Sequence, residues 1–70
     1  MAKKIKISLA AARINANMLQ SDTAKEMNVT PNTVSNWETG KTAPTVLQMQ
    51  KMCQIYKMPF DFVYVPEVSK

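Results

Sequence analysis

Apolar positions recur along this chain with helical spacing in four places, and residues that start or stop helices mark the gaps between them. Leu9, Ala12 and Ala16 fall on one face of a first helix capped by Ser8, with Ile14 and Met18 extending its packing. A second helix is predicted over residues 20–27, where Ala24 and Met27 share a face. A third is predicted over 31–39, with Val34 and Trp37 turned inward. After a loop over 40–44, a fourth starts behind Thr45. Its stripe is Val46, Met49, Cys53 and Tyr56, widened by Met52 and Ile55. Pro59 breaks that pattern. Residues 60–65 fit either one short helical turn or an extended segment, because Val63, Tyr64 and Val65 also suit a strand. With that turn counted, the pattern predicts an all-α, compact five-helix domain. A basic arm spans residues 1–7, the helical core 8–65 and a tail 66–70.

The junction between the second and third helices carries the most information. Ala24 is small enough to let two backbones approach closely. Asn28 follows the second helix and tolerates the left-handed conformation that ends one. Val29 folds back under the turn, and Thr30 is a natural N-cap. Pro31 then stands at the first helical position, where its missing N–H costs nothing. With Val34 and Trp37 inward, Asn32, Thr33, Ser35 and Asn36 form the outward surface, and Gly40 stops the helix. Two short helices across a tight turn, the second faced with small polar side chains, make a helix-turn-helix, whose second helix can enter the DNA major groove.

These residues resemble the helix-turn-helix domains of phage repressors and Cro proteins, the lambda- and 434-repressor-like (XRE-type) group. That family runs from a Gln at the start of its second helix to a tail of the form Thr-Val/Ile-Ser-x-Trp/Ile-Glu-x-Gly-Lys-x-x-Pro. Here the tail is Thr33-Val34-Ser35-Asn36-Trp37-Glu38-Thr39-Gly40-Lys41-Thr42-Ala43-Pro44, and the similarity extends from about Leu9 to about Val63. Asn28 replaces the commoner Gly in the turn. Thr23 stands where Leu is usual, which predicts a slightly under-packed second helix.

The resemblance implies a small transcriptional regulator of phage or mobile-element type, bound to double-stranded DNA. It places Asn32, Thr33 and Asn36 against base edges, and an Asn amide suits adenine. Pro31 occupies the first of the reading positions and donates nothing, and the absence of Arg and Lys from the third helix disfavours guanine readout. Gln20, with the amides of its helix end, and Lys41 would hold phosphates, joined by Ser35, Thr39 and the arm lysines Lys3, Lys4 and Lys6. Arg13 and Glu38 match positions that form a structural salt bridge between the first helix and the end of the third.

Charge complicates this picture. The net +4 sits in residues 1–20, which hold Lys3, Lys4, Lys6 and Arg13 and no acid, whereas residues 21–50 sum to −1. A basic terminus serves equally as a solubilising tail or as a DNA-touching arm. Seventy residues allow one domain with a small core. The single Cys53 forms no internal disulfide and reads as a core residue of the fourth helix, and the six methionines read as core fillers. With no His, no Gly-rich phosphate loop and scattered acids, neither an enzyme nor a metal or other cofactor is expected. No signal peptide or membrane span is evident, so a cytoplasmic, nucleoid-associated protein of a prokaryotic host is expected. A rival reading is an antirepressor, a modulator that keeps this fold but binds a partner repressor and masks its DNA surface. Met58, Phe60, Phe62 and Tyr64 would then supply the docking patch, or a homodimer seam, or simply complete the core.

Overall fold

The computed structural model describes residues 6–66. Its elements are β1 (Ile7–Ser8), α1 (Leu9–Asn15), α2 (Gln20–Met27), α3 (Pro31–Thr39), α4 (Val46–Tyr56), a 3₁₀ turn (Phe60–Phe62) and β2 (Val63–Tyr64). Each helix start has its own device. The hydroxyls of Ser8, Thr30 and Thr45 accept from the backbone amides of Ala11, Thr33 and Gln48, at 3.0, 3.2 and 3.1 Å. The Gln48 side chain reaches back to the Thr45 N–H at 2.8 Å, completing a reciprocal box. At α2 the cap position is Leu19, whose N–H donates instead to Asp22 Oδ2 at 2.8 Å.

All four helices end alike. Asn17, Asn28, Gly40 and Lys57 take left-handed backbone angles. The next residue in each case (Met18, Val29, Lys41, Met58) donates its N–H five residues back, to the carbonyls of Arg13, Ala24, Asn36 and Cys53. Those bonds satisfy carbonyls that a helix end leaves free. Met18, Val29 and Met58 then fold against the core, so each closure also buries apolar surface.

The core consists of Leu9 and Ala12 from α1, Ala24 and Met27 from α2, and Val34 and Trp37 from α3. Met49, Met52, Cys53 and Tyr56 from α4 and Val63 from β2 complete it. Three of the methionines are thus buried, as expected of gap-filling side chains. No helix among the described residues is long and apolar enough to cross a membrane.

Several expectations change. Among the described residues there are four α-helices, the expected fifth being a single 3₁₀ turn, and the domain is mostly helical rather than all-α. Residues 60–65 take both alternatives in succession, one 3₁₀ turn and then a strand, because β-branched Val63 finds an extended partner. β2 pairs in parallel with β1 in the register Ile7 to Val63 and Ser8 to Tyr64. Ile7 therefore belongs to the folded body and not to a free arm, whereas Lys3, Lys4 and residues 67–70 lie outside the described residues. Ile14 is 63% exposed, since it follows Ala12 by two positions and so points to the opposite side of α1. Val46 is exposed as the first residue of α4, beyond the packed part of its stripe. Finally, α2 is not under-packed at Thr23. That residue is fully buried, and its hydroxyl lies 2.9 Å from the buried Tyr56 hydroxyl, so each polar tip satisfies the other.

Two predictions follow from this frame. Lys57 holds a left-handed conformation (φ 57°) that costs a side-chain-bearing residue about 1 kcal/mol. Lys57→Gly is expected to recover most of that, raising the thermal midpoint by about 4 °C; a lower midpoint would contradict the argument. Burial raises the Tyr56 hydroxyl above its ordinary 10.0 and the Cys53 thiol above its ordinary 9.0. Raised values mean that the native state favours the neutral forms. Their contribution is therefore intact at neutral pH and drains away as pH climbs through the folded-state values. Denaturant melts from about pH 7 to pH 11 should show stability level at first and then falling, with Tyr56→Phe flattening the fall.

Candidate nucleic-acid interface

The candidate interface is the outer face of α3, and what positions that face lies behind it. Val34 and Trp37 bury the inner side of the helix, packed mainly on α2. Apolar contacts alone leave a helix free to roll, because they have little directionality. Directional bonds come from the other end. Arg13 Nε donates to Glu38 Oε2 at 2.7 Å and Nη2 to Oε1 at 3.2 Å. Arg13 Nη1 donates to the Met18 carbonyl at 2.8 Å, and Gln20 Nε2 to Glu38 Oε1 at 3.0 Å. The ion-pair side chains are only 13% and 5% exposed. The hydrogen bond to Glu38 raises the Arg13 guanidinium further above its already high range, so the cation persists at any working pH. α1, the start of α2 and the end of α3 are thereby joined through one carboxylate, in the structural role expected of Arg13 and Glu38.

The outward residues fall into two groups. Asn32 is exposed and Asn36 half-buried, four positions apart on one face. Among the described residues neither side-chain amide makes a hydrogen bond within the protein, and the half-buried Ser35 hydroxyl makes none either. The threonines differ. The Thr33 hydroxyl lies 2.9 Å from that of Thr30 and is drawn into the helix cap. Thr39 donates its hydroxyl proton to the Ser35 carbonyl at 3.0 Å, so the structure gives it no proton to offer a phosphate. That changes the expectation for Thr39, which here bonds its own helix.

The expected phosphate residues are dispersed. Lys41 is exposed directly after Gly40, one residue beyond the end of α3. Gln20 stands at the first position of α2 with one amide proton spent on Glu38, which orients the side chain. Lys6 is exposed, but it precedes β1 and so is tied to the C-terminal strand. Sequence reasoning missed Asp22. Its carboxylate already caps α2 through the Leu19 N–H, and it places a negative charge in the turn where Gln20 and the helix amides would meet a phosphate. The Leu19-to-Asp22 spacing, an acid three residues after a cap position, was the available signal.

After α4, Met58 packs against the core, while Phe60, Phe62 and Tyr64 remain 43%, 42% and 47% exposed. Phe62 and Tyr64 flank buried Val63, while Phe60 opens the 3₁₀ turn. The core therefore takes Met58 and leaves the three aromatic rings at the surface.

Replacing Glu38 by Ala should strand the Arg13 cation and release Gln20. We expect about 3 kcal/mol of lost stability together with weakened DNA binding. An unchanged melting temperature would contradict the structural assignment.

The helix-turn-helix family model matches residues 9–63, from the first residue of α1 to the first residue of β2. Searches of curated proteins and of solved structures return no match.

Proposed function

The chain belongs to the helix-turn-helix family, in its lambda-repressor- and Cro-like branch of DNA-binding regulators, and we propose that it acts as a sequence-specific transcriptional regulator of phage or mobile-element type. It acts by occupying duplex DNA and not by catalysis. The observation that carries this reading is the pair of uncommitted amides, Asn32 and Asn36, on the outer face of a helix whose roll is fixed by Arg13 and Glu38. An α-helix is about 10–12 Å across with its side chains, so α3 fits a major groove about 12 Å wide. Asn32, Thr33 and Asn36 then face base edges. Gln20, Ser35, Lys41 and the lysines of the N-terminal segment meet the phosphates on either side.

A second reading has its own observation in the three exposed aromatic side chains Phe60, Phe62 and Tyr64. An exposed apolar patch on a small domain marks a contact surface. It supports either a homodimer or the modulator that docks on a partner repressor.

One experiment separates these readings. Selection of bound duplexes from a random pool at near-physiological salt is expected to enrich a defined motif, two-fold symmetric if the protein dimerises. Lys41→Ala should weaken binding to every sequence alike and reduce the slope of log affinity against log salt by about 0.9. Weak, salt-sensitive binding without enrichment would overturn the regulator reading in favour of the modulator.

A further inference from the structure

We propose that the reading face of α3 is selective for A·T pairs, two of which are met by Asn32 and Asn36. This inference rests on the DNA-binding reading above and specifies what that same surface recognises. Each base pair presents a distinct set of donors and acceptors in the major groove, and each set can be matched against what α3 offers.

Guanine offers two acceptors, N7 and O6, which are best met by a cationic side chain with paired donors. α3 carries no Arg or Lys between Pro31 and Thr39. Cytosine offers an N4 donor, met by a carboxylate. The only carboxylate on α3 is Glu38, and it is spent: Oε2 accepts from Arg13 at 2.7 Å, while Oε1 accepts from Arg13 at 3.2 Å and Gln20 at 3.0 Å. Its side chain is 5% exposed and faces the scaffold. The salt bridge that fixes the helix thus also removes its one candidate for reading cytosine.

Adenine presents one acceptor, N7, beside one donor, N6, and a carboxamide matches both at once. Asn32 and Asn36 are the two carboxamides on this helix, and among the described residues neither is engaged within the protein. Against guanine or cytosine an Asn amide makes one bond and leaves its other half unpaired in a desolvated groove, which is costly. Their four-residue spacing is about 6 Å along the helix axis. Base steps rise about 3.4 Å, so the two amides address A·T pairs one or two steps apart. The threonines reinforce the preference. The Thr33 hydroxyl is paired with that of Thr30 and the Thr39 proton is given to the Ser35 carbonyl, which leaves a methyl group on each uncommitted. A methyl group complements the C5-methyl of thymine.

The test uses the motif recovered by duplex selection and then replaces each of its adenines by 7-deazaadenine, which lacks the N7 acceptor. The intact chain is compared with Asn32→Ala and Asn36→Ala by fluorescence anisotropy, with thermal melts to show that both variants fold. The expected result is a motif with two A·T pairs one or two steps apart. Each Asn→Ala change should cost about 5- to 150-fold in preference for A·T over G·C at one of them. The 7-deaza substitution at that adenine should weaken the intact chain and leave the corresponding variant indifferent. A motif whose Asn-dependent positions are G·C, or one insensitive to both Asn changes, would overturn the A·T assignment while leaving the regulator reading intact. Failure to recover any motif would overturn both.

Discussion

The fold is organised around one partly buried ion pair. Arg13 and Glu38 lie 25 residues apart on two different helices, so their contact fixes an angle as well as a distance. It draws in the Met18 carbonyl and the Gln20 amide, joining the end of α1, the start of α2 and the end of α3. A buried ion pair is not in itself a large source of stability, because desolvation offsets the attraction. What it supplies here is direction. On the proposed function, a helix α3 that could roll by even one residue, about 100°, would turn Asn32 and Asn36 away from the groove and present its apolar side.

Around that pair the domain relies on local closure. A chain this short buries a small core, and each helix is shorter than the roughly 12 residues an isolated helix needs to hold in water. Capping both ends of every helix removes the free amides and carbonyls that would otherwise compete for water. The repeated use of a left-handed residue followed by a bond five residues back shortens the connections and returns Met18, Val29 and Met58 to the core. The short α2–α3 connection, Asn28 to Thr30, is one product of this economy. Its tightness is what allows α2 to brace α3 along its inner face.

The features legible in the sequence are those whose causes are local. Asn28, Pro31, Gly40 and Thr45 each act within a turn of their own position, and the structure uses them as their chemistry predicts. The Arg13–Glu38 pair was legible only through resemblance, since nothing in the spacing requires those two residues to meet. Non-local features were hidden. Two-residue strands carry no period, so Ile7 read as arm until Val63 was seen to pair with it. Thr23 read as a packing defect because its partner Tyr56 lies 33 positions away on another helix. The site was hidden in a different way. Residue type reveals that Thr33 and Thr39 own hydroxyls, but not that those hydroxyls are already engaged.

That last distinction bears on how a neutral reading helix can work at all. Phosphate neutralisation gives affinity without sequence preference, and base contacts give preference with less affinity. In this chain the two are kept apart: Lys41 stands just outside α3, the remaining basic residues lie off it, and its single charge, Glu38, is cancelled by Arg13. Asp22 further lowers the attraction for phosphate beside Gln20. Under the proposed DNA-binding reading, such a surface would bind random DNA weakly, so a larger share of its total binding energy would depend on matched bases. Against the many non-specific sites of a genome, the ratio of matched to unmatched binding decides occupancy, and lowering the unmatched affinity raises that ratio as surely as adding a base contact. Removing charge from the reading face is therefore a route to specificity, provided the lysines outside it bring the helix to the groove.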